Sequence, residues 1–120
     1  MPVLAFLNAM PVLAVRDLNL AMGFYRDVFG FSPYVRELPR YAQVGRDGVE
    51  IGLSQDPENA GRDRCQVQVQ GIDELYAYCV ANARIIKPLS EREFGFRDFI
   101  IEDPDGNRLT IGEALEPMEA

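Results

Sequence analysis

One pattern of strand, amphipathic helix and extended segments occurs twice in 120 residues, and few folds accommodate both copies. In the first copy a strand ends in Val15-Arg16-Asp17-Leu18, a helix carries Phe24-Tyr25 and closes at Gly30-Phe31, and extended segments end in Val49-Glu50-Ile51-Gly52-Leu53. The second opens on a strand around Val67 and Val69, followed by a helix over about 72–83. It closes on Phe96-Arg97-Asp98-Phe99, Asp103-Pro104-Asp105-Gly106-Asn107-Arg108 and Leu109-Thr110-Ile111. Two βαβββ modules, one over about 9–54 and the other over about 64–113, predict an α+β fold with a curved mixed sheet around a cleft. At this length residues 1–120 are expected to form a single domain.

The periodicity says which side chains face which way. Ala21, Phe24, Tyr25 and Val28 recur at helical spacing, with Gly30 placed to cap the helix. Ile72, Leu75, Tyr76, Cys79, Val80 and Ala83 form the corresponding stripe in the second module. In the strands the period is two. Val49, Ile51 and Leu53 oppose Glu50 and Gly52; Cys65, Val67 and Val69 oppose Arg64, Gln66 and Gln68; Leu109 and Ile111 oppose Arg108 and Thr110; Leu13 and Val15 oppose Met10, Val12 and Ala14. If the apolar sets meet the helices, then Glu50, Arg64, Gln66, Gln68, Arg108 and Thr110 face one cavity. A plain antiparallel sheet with one wet face satisfies the same alternation without any ligand.

A formal charge of −7 argues against nucleic acid as a partner, because phosphate recognition needs a concentrated basic face. It favours a cationic ligand weakly. Cys65 and Cys79 form no CxxC pair and fall on apolar faces, so both read as buried free thiols in a reducing, cytoplasmic setting. Residues 1–15 are apolar, but no basic stretch precedes them, and Pro2 and Pro11 interrupt a run too short to span a bilayer. Met1-Pro2-Val3-Leu4-Ala5 recurs as Met10-Pro11-Val12-Leu13-Ala14, and residues 1–8 receive no function.

Val15-Arg16-Asp17-Leu18 followed by Ala21 and Phe24-Tyr25, together with the late Phe96–Phe99 and Asp103–Leu109 stretches, resembles the vicinal oxygen chelate superfamily over about 10–112. That superfamily includes glyoxalase I, extradiol dioxygenases and bleomycin-resistance proteins. The Gly95-x-Arg97-x-Phe99 strand before Asp-Pro-Asp-Gly-Asn is most similar to the bleomycin-resistance branch. The hairpin itself is a structural signal, supplying the positive-φ residues that a tight turn needs.

The resemblance implies metal ligands on four strands in the superfamily's enzymes, at positions matching Met10, Glu50, Arg64 and Thr110 here. Only Glu50 suits a metal, Arg64 would set a cation against it, and the chain has no histidine. No metal site, no cofactor and no catalytic residue are therefore expected, and metal-dependent glyoxalase or dioxygenase chemistry is not. Glu50 and Arg64 admit two readings. Glu50 is a proton-transfer group or an anchor for a cationic ligand, or the two form an ion pair in the vacated metal position.

The aromatic residues outside the helices are Tyr34, Tyr41, Phe94, Phe96 and Phe99, whereas Phe24, Phe29 and Phe31 read as core. In bleomycin-resistance proteins the drug lies in a cleft between two subunits, against aromatic and polar side chains. The absence of tryptophan departs from that group's usual stacking residues. Arg97 either reaches the cleft or holds Asp98, Glu102 or Asp103 at the surface. The expected ligand-binding set is Tyr41, Glu50, Arg64, Gln66, Gln68, Phe96, Arg97, Phe99 and Thr110. The resemblance implies a homodimer that sequesters a small cationic aromatic molecule, such as a bleomycin-type antibiotic, with no membrane and no nucleic-acid partner. The alternatives are a metal-free isomerase or lyase using Glu50, and an assembly protein with a closed cleft.

Overall fold

The computed structural model describes residues 3–93 and 95–114. Phe94, one of the expected aromatic candidates, lies outside them. The elements run β1 (Val12–Val15), α1 (Leu18–Phe29), β2 (Ser32–Glu37), β3 (Tyr41–Arg46), β4 (Val49–Gln55), β5 (Arg64–Gln68), α2 (Ile72–Asn82), β6 (Arg84–Arg92), β7 (Phe96–Glu102) and β8 (Arg108–Ala114). The β-α-β-β-β order is thus present twice. The strands form two four-stranded sheets, ordered β1-β4-β3-β2 and β5-β8-β7-β6. In each sheet the first strand pairs parallel to the last, and the other pairings are antiparallel.

Local chemistry sets the helix ends. The Asp17 carboxylate accepts from Leu20 N at 3.0 Å and begins α1. Gly30 at φ 72° ends it, with its N–H on Arg26 O at 2.9 Å and that of Phe31 on Tyr25 O at 3.1 Å. Helix α2 has no side-chain cap of its own, since Gly71 occupies the N-cap. The Glu113 carboxylate on β8 takes the N–H groups of Gly71 at 3.1 Å and Ile72 at 3.0 Å instead. Asp73 and Glu74 add favourable charge to that first turn.

Both helices lie on the apolar sides of their sheets, and the two modules share one core. Leu13, Val15, Ala42, Val44, Ile51 and Leu53 pack with Leu18, Ala21, Tyr25, Val28 and Phe29. Val67, Phe99, Ile101, Leu109 and Ile111 continue the cluster with Ile72 and Cys79. The expected stripe of α2 holds at Ile72 and Cys79, but Val80 is exposed. Phe29 and Phe31 are buried, and Phe24 is half-buried against the core, as expected.

A polar seam joins the modules inside that core. Tyr25 Oη donates to Asp103 Oδ2 at 2.8 Å, and Asn107 Nδ2 donates to Ala14 O at 2.8 Å. Ala14 N donates to Asp63 Oδ2 at 2.7 Å, and Asp63 N to Asn107 Oδ1 at 3.0 Å. The hairpin expected to be a turn signal therefore also fastens module two to β1. Gly106, at φ 105°, makes its turn possible.

Candidate functional site

The side of each sheet facing away from the helices, its outer face, displays the polar half of the alternation. On the first sheet this face carries Met10, Val12, Tyr34, Tyr41, Gln43 and Glu50. The Tyr41 hydroxyl lies over Gly52, where an added Cβ would sit 2.8 Å from it, and receives Gln43 Nε2 at 2.9 Å. Tyr34, half-exposed in a β-bulge, donates toward Met10 Sδ at 3.8 Å. Desolvation, and then the neighbouring Glu50 carboxylate, push its phenol above the ordinary tyrosine range.

On the second sheet the strand register aligns Arg64 with Arg108, Gln66 with Thr110 and Gln68 with Gly112. The next strand places Glu102, Ile100 and Asp98 beside Arg108, Thr110 and Gly112, and Phe96 shares their face. The Phe96 ring covers Gly112, where an added Cβ would meet it at 2.5 Å. Each outer face thus has a backbone glycine with an aromatic side chain folded over it. Asp98 is 1% exposed, held by Lys87 Nζ at 2.7 Å and Arg92 Nη1 at 2.9 Å. Arg84 and Arg108 share Glu102, each at 3.4 Å.

Burial alone would raise the Asp98 carboxyl, but the hydrogen bonds and charges of Lys87 and Arg92 outweigh it and hold it below the usual aspartate range. A folded-state pKa below the unfolded value means that ionised Asp98 stabilises the fold above the unfolded value, near pH 4, and that this contribution goes as pH falls through the lowered one. Asp98→Asn is expected to cost about 2 kcal/mol at neutral pH. The gap from wild type should narrow as pH falls below about 4, as paired urea melts at descending pH would record.

The expected site residues divide between these places. Tyr41 and Glu50 lie on the first outer face, and Arg64, Gln66, Gln68, Phe96 and Thr110 on the second, so one cavity does not gather them within a single chain. Arg97 and Phe99 are corrections, because their parity in β7 turns them toward the helix side. Arg97 forms a two-pronged pair with Asp73 at 2.7 and 2.8 Å, not with Asp98, Glu102 or Asp103. Phe99 is 0% exposed and packs edge-on against Tyr76 with ring centroids 5.0 Å apart.

Of the two readings of Glu50 and Arg64, the ion pair is absent among the described residues. The internal repeat also moves the assignment of Glu50. Val12 and Gln66 stand six residues before Leu18 and Ile72, the first residues of the helices, and their strand partners are Gly52 and Thr110. Gly52, not Glu50, is therefore the counterpart of Thr110, and Glu50 corresponds to Arg108. Among the described residues no three His, Cys, Asp or Glu side chains converge on a common point. Burial pushes the thiols of Cys65 and Cys79 up to about 11 each, which keeps them protonated and poor nucleophiles at neutral pH. Alternation applied to β7 would have found Asp98 and rejected Phe99; no sequence signal marks the pairing of Asp98 with Lys87 and Arg92.

A cavity of about 970 Å3 lies on the helix side, between the end of α1, the β3–β4 turn and the start of α2. Val28, Phe29, Phe31 and Val67 line it, together with Gln68 of β5. No described helix is long and apolar enough to cross a membrane.

With this geometry in place, residues 7–111 match the model of the Glyoxalase/Bleomycin resistance protein/Dioxygenase superfamily, and the chain belongs to that family. Bleomycin resistance proteins of Geobacillus stearothermophilus and Staphylococcus aureus are 27% identical to it, over 92% of this chain and 98% of theirs. The bleomycin-binding protein of Streptomyces verticillus, solved with copper(II)-bleomycin, superposes with a TM-score of 0.76 at 23% identity, covering 91% of this chain and 97% of that one. A lactoylglutathione lyase from Agrobacterium tumefaciens superposes almost as well, with a TM-score of 0.75 at 21% identity, covering 90% of this chain and 94% of that one. Structural likeness at this level fixes the fold and leaves binding and catalysis both open.

Proposed function

We propose that this protein binds and sequesters a small aromatic molecule of the bleomycin type in the cytoplasm, without turning it over. The observation that carries the reading is the pair of outer faces, each with an aromatic side chain reaching over a glycine and polar side chains around it. Tyr34 and Tyr41 offer flat surfaces beside Glu50, which suits a cationic aromatic group. Sequestration needs no nucleophile, and burial keeps both thiols protonated at neutral pH. Likeness to bleomycin resistance proteins along nearly their whole length supports the same reading.

The two faces of one chain are open and differ in character, which supports a homodimer in which the first face of one copy closes on the second face of another. Residues 1–120 act as one domain in this arrangement, and Tyr41, Glu50, Arg64, Gln66, Gln68, Phe96 and Thr110 line the cleft. Expression in a bleomycin-sensitive bacterium tests the reading. Growth should persist at drug concentrations that kill the parent strain, and Tyr41→Ala with Phe96→Ala should abolish that protection. Unchanged sensitivity with the protein abundantly produced would remove bleomycin as the ligand.

A further inference from the structure

Although the whole chain is acidic, the outer face of its second sheet is not. It carries Arg64, Arg84, Lys87, Arg92 and Arg108 against only Asp98 and Glu102. Set against Glu37 and Glu50 of the first face as well, the basic side chains still outnumber the acidic ones. The balance is also uneven within the face, because Lys87 and Arg92 are consumed by Asp98, and Arg84 is turned to Glu102.

The surplus sits at Arg64 and Arg108. These are direct partners across the parallel β5–β8 pair, an arrangement that sets like charges side by side and disfavours the sheet unless an anion comes between them. Arg64 makes no ion pair among the described residues, and Arg108 has only the long contact with the shared Glu102. A polar cavity of about 290 Å3 opens there, lined by Arg62, Arg64, Arg108, Asp63, Glu102 and two glycines. Asp63, which accepts from Ala14 N at 2.7 Å across the module seam, and Glu102 offset part of this charge, and three arginines against two carboxylates leave the lining with a positive surplus. Three guanidinium groups around a space of this size match an oxyanion, which their paired N–H donors grip in two-pronged fashion.

We propose that this cavity receives an oxyanion, a phosphate, sulfate or carboxylate group, borne by the molecule whose aromatic part rests on the outer faces. The inference rests on the reading that those faces hold the ligand, and it adds that the ligand is not purely cationic. The module-one counterparts of Arg64 and Arg108 are Met10 and Glu50, so only one end of the repeat can play this part.

Phenyl phosphate is the probe, titrated calorimetrically at constant ionic strength beside benzylamine, with inorganic phosphate as competitor. Saturable binding of phenyl phosphate is expected, weakened at least tenfold in Arg64→Gln and in Arg108→Gln, but not in Arg84→Gln. All three positions are at the surface, and equal melting temperatures would confirm that each variant folds. Undiminished binding in the Arg64→Gln/Arg108→Gln double variant, or no saturable binding to wild type, would overturn the proposal. Titration of bleomycin into the same variants separates the two claims. Bleomycin binding without phenyl phosphate binding sinks the oxyanion site alone. Phenyl phosphate binding without bleomycin binding supports the site and removes bleomycin as the ligand.

Discussion

Asp103→Ala is expected to cost about 3–5 kcal/mol, because five hydrogen bonds end on one buried carboxylate and several donors lose their acceptor together. Oδ1 takes the N–H groups of Asp105 at 2.9 Å, Gly106 at 3.0 Å and Asn107 at 2.9 Å, which shapes the hairpin. Oδ2 takes Tyr25 Oη at 2.8 Å and Asn107 Nδ2 at 3.1 Å, which ties that hairpin to α1 and, through Asn107, to β1. Alanine leaves the Tyr25 hydroxyl without its acceptor in the core. Tyr25→Phe, which removes donor and demand together, should cost only about 1 kcal/mol. Urea melts of the two variants would show the contrast. A loss below about 1 kcal/mol in Asp103→Ala would mean that the hairpin does not fasten the modules.

Phe99→Ala should be comparably severe, at about 3–5 kcal/mol and a melting temperature lower by roughly 10–20 °C. The ring is fully buried beneath α2 against Tyr76, so its removal leaves a cavity that the sheet cannot close. Phe96→Ala, three residues earlier and on the opposite face, should cost about 1–2 kcal/mol and act chiefly on ligand affinity. Thermal melts paired with ligand titration distinguish the two. Equal destabilisation by both, or weakened binding from Phe99→Ala at a temperature where it remains folded, would contradict the parity assigned to β7.

This pair of phenylalanines shows where sequence reasoning reached and where it stopped. Alternation in β4, β5 and β8 was legible because apolar residues interleave with polar residues or glycine, and much of the core of both modules follows from it. β7 is harder: Phe96, Phe99, Ile100 and Ile101 place apolar residues on both faces, and resemblance to a Gly-x-Arg-x-Phe strand favoured the wrong pair. Asp103 and Asn107 read as turn formers from their local setting, while their longer task depends on Ala14 and Tyr25, 93 and 78 residues away. The position of Glu50 failed for a related reason. Register is set by hydrogen bonding between strands, and a slip of two residues preserves the hydrophobic pattern entirely.

Charge was the least legible property. A net charge of −7 favoured a cationic ligand, yet the acidic residues are concentrated elsewhere, and the second outer face is basic. Only the pairing of β5 with β8 brings Arg64 beside Arg108.

Isothermal titration of the purified protein with bleomycin, metal-free and copper-loaded, tests most directly whether the outer faces hold a small aromatic ligand. Saturable binding at micromolar concentration or tighter, lost in Tyr41→Ala and Phe96→Ala while both remain folded, is the expected result. No heat and no shift in melting temperature for either form of the drug would contradict it.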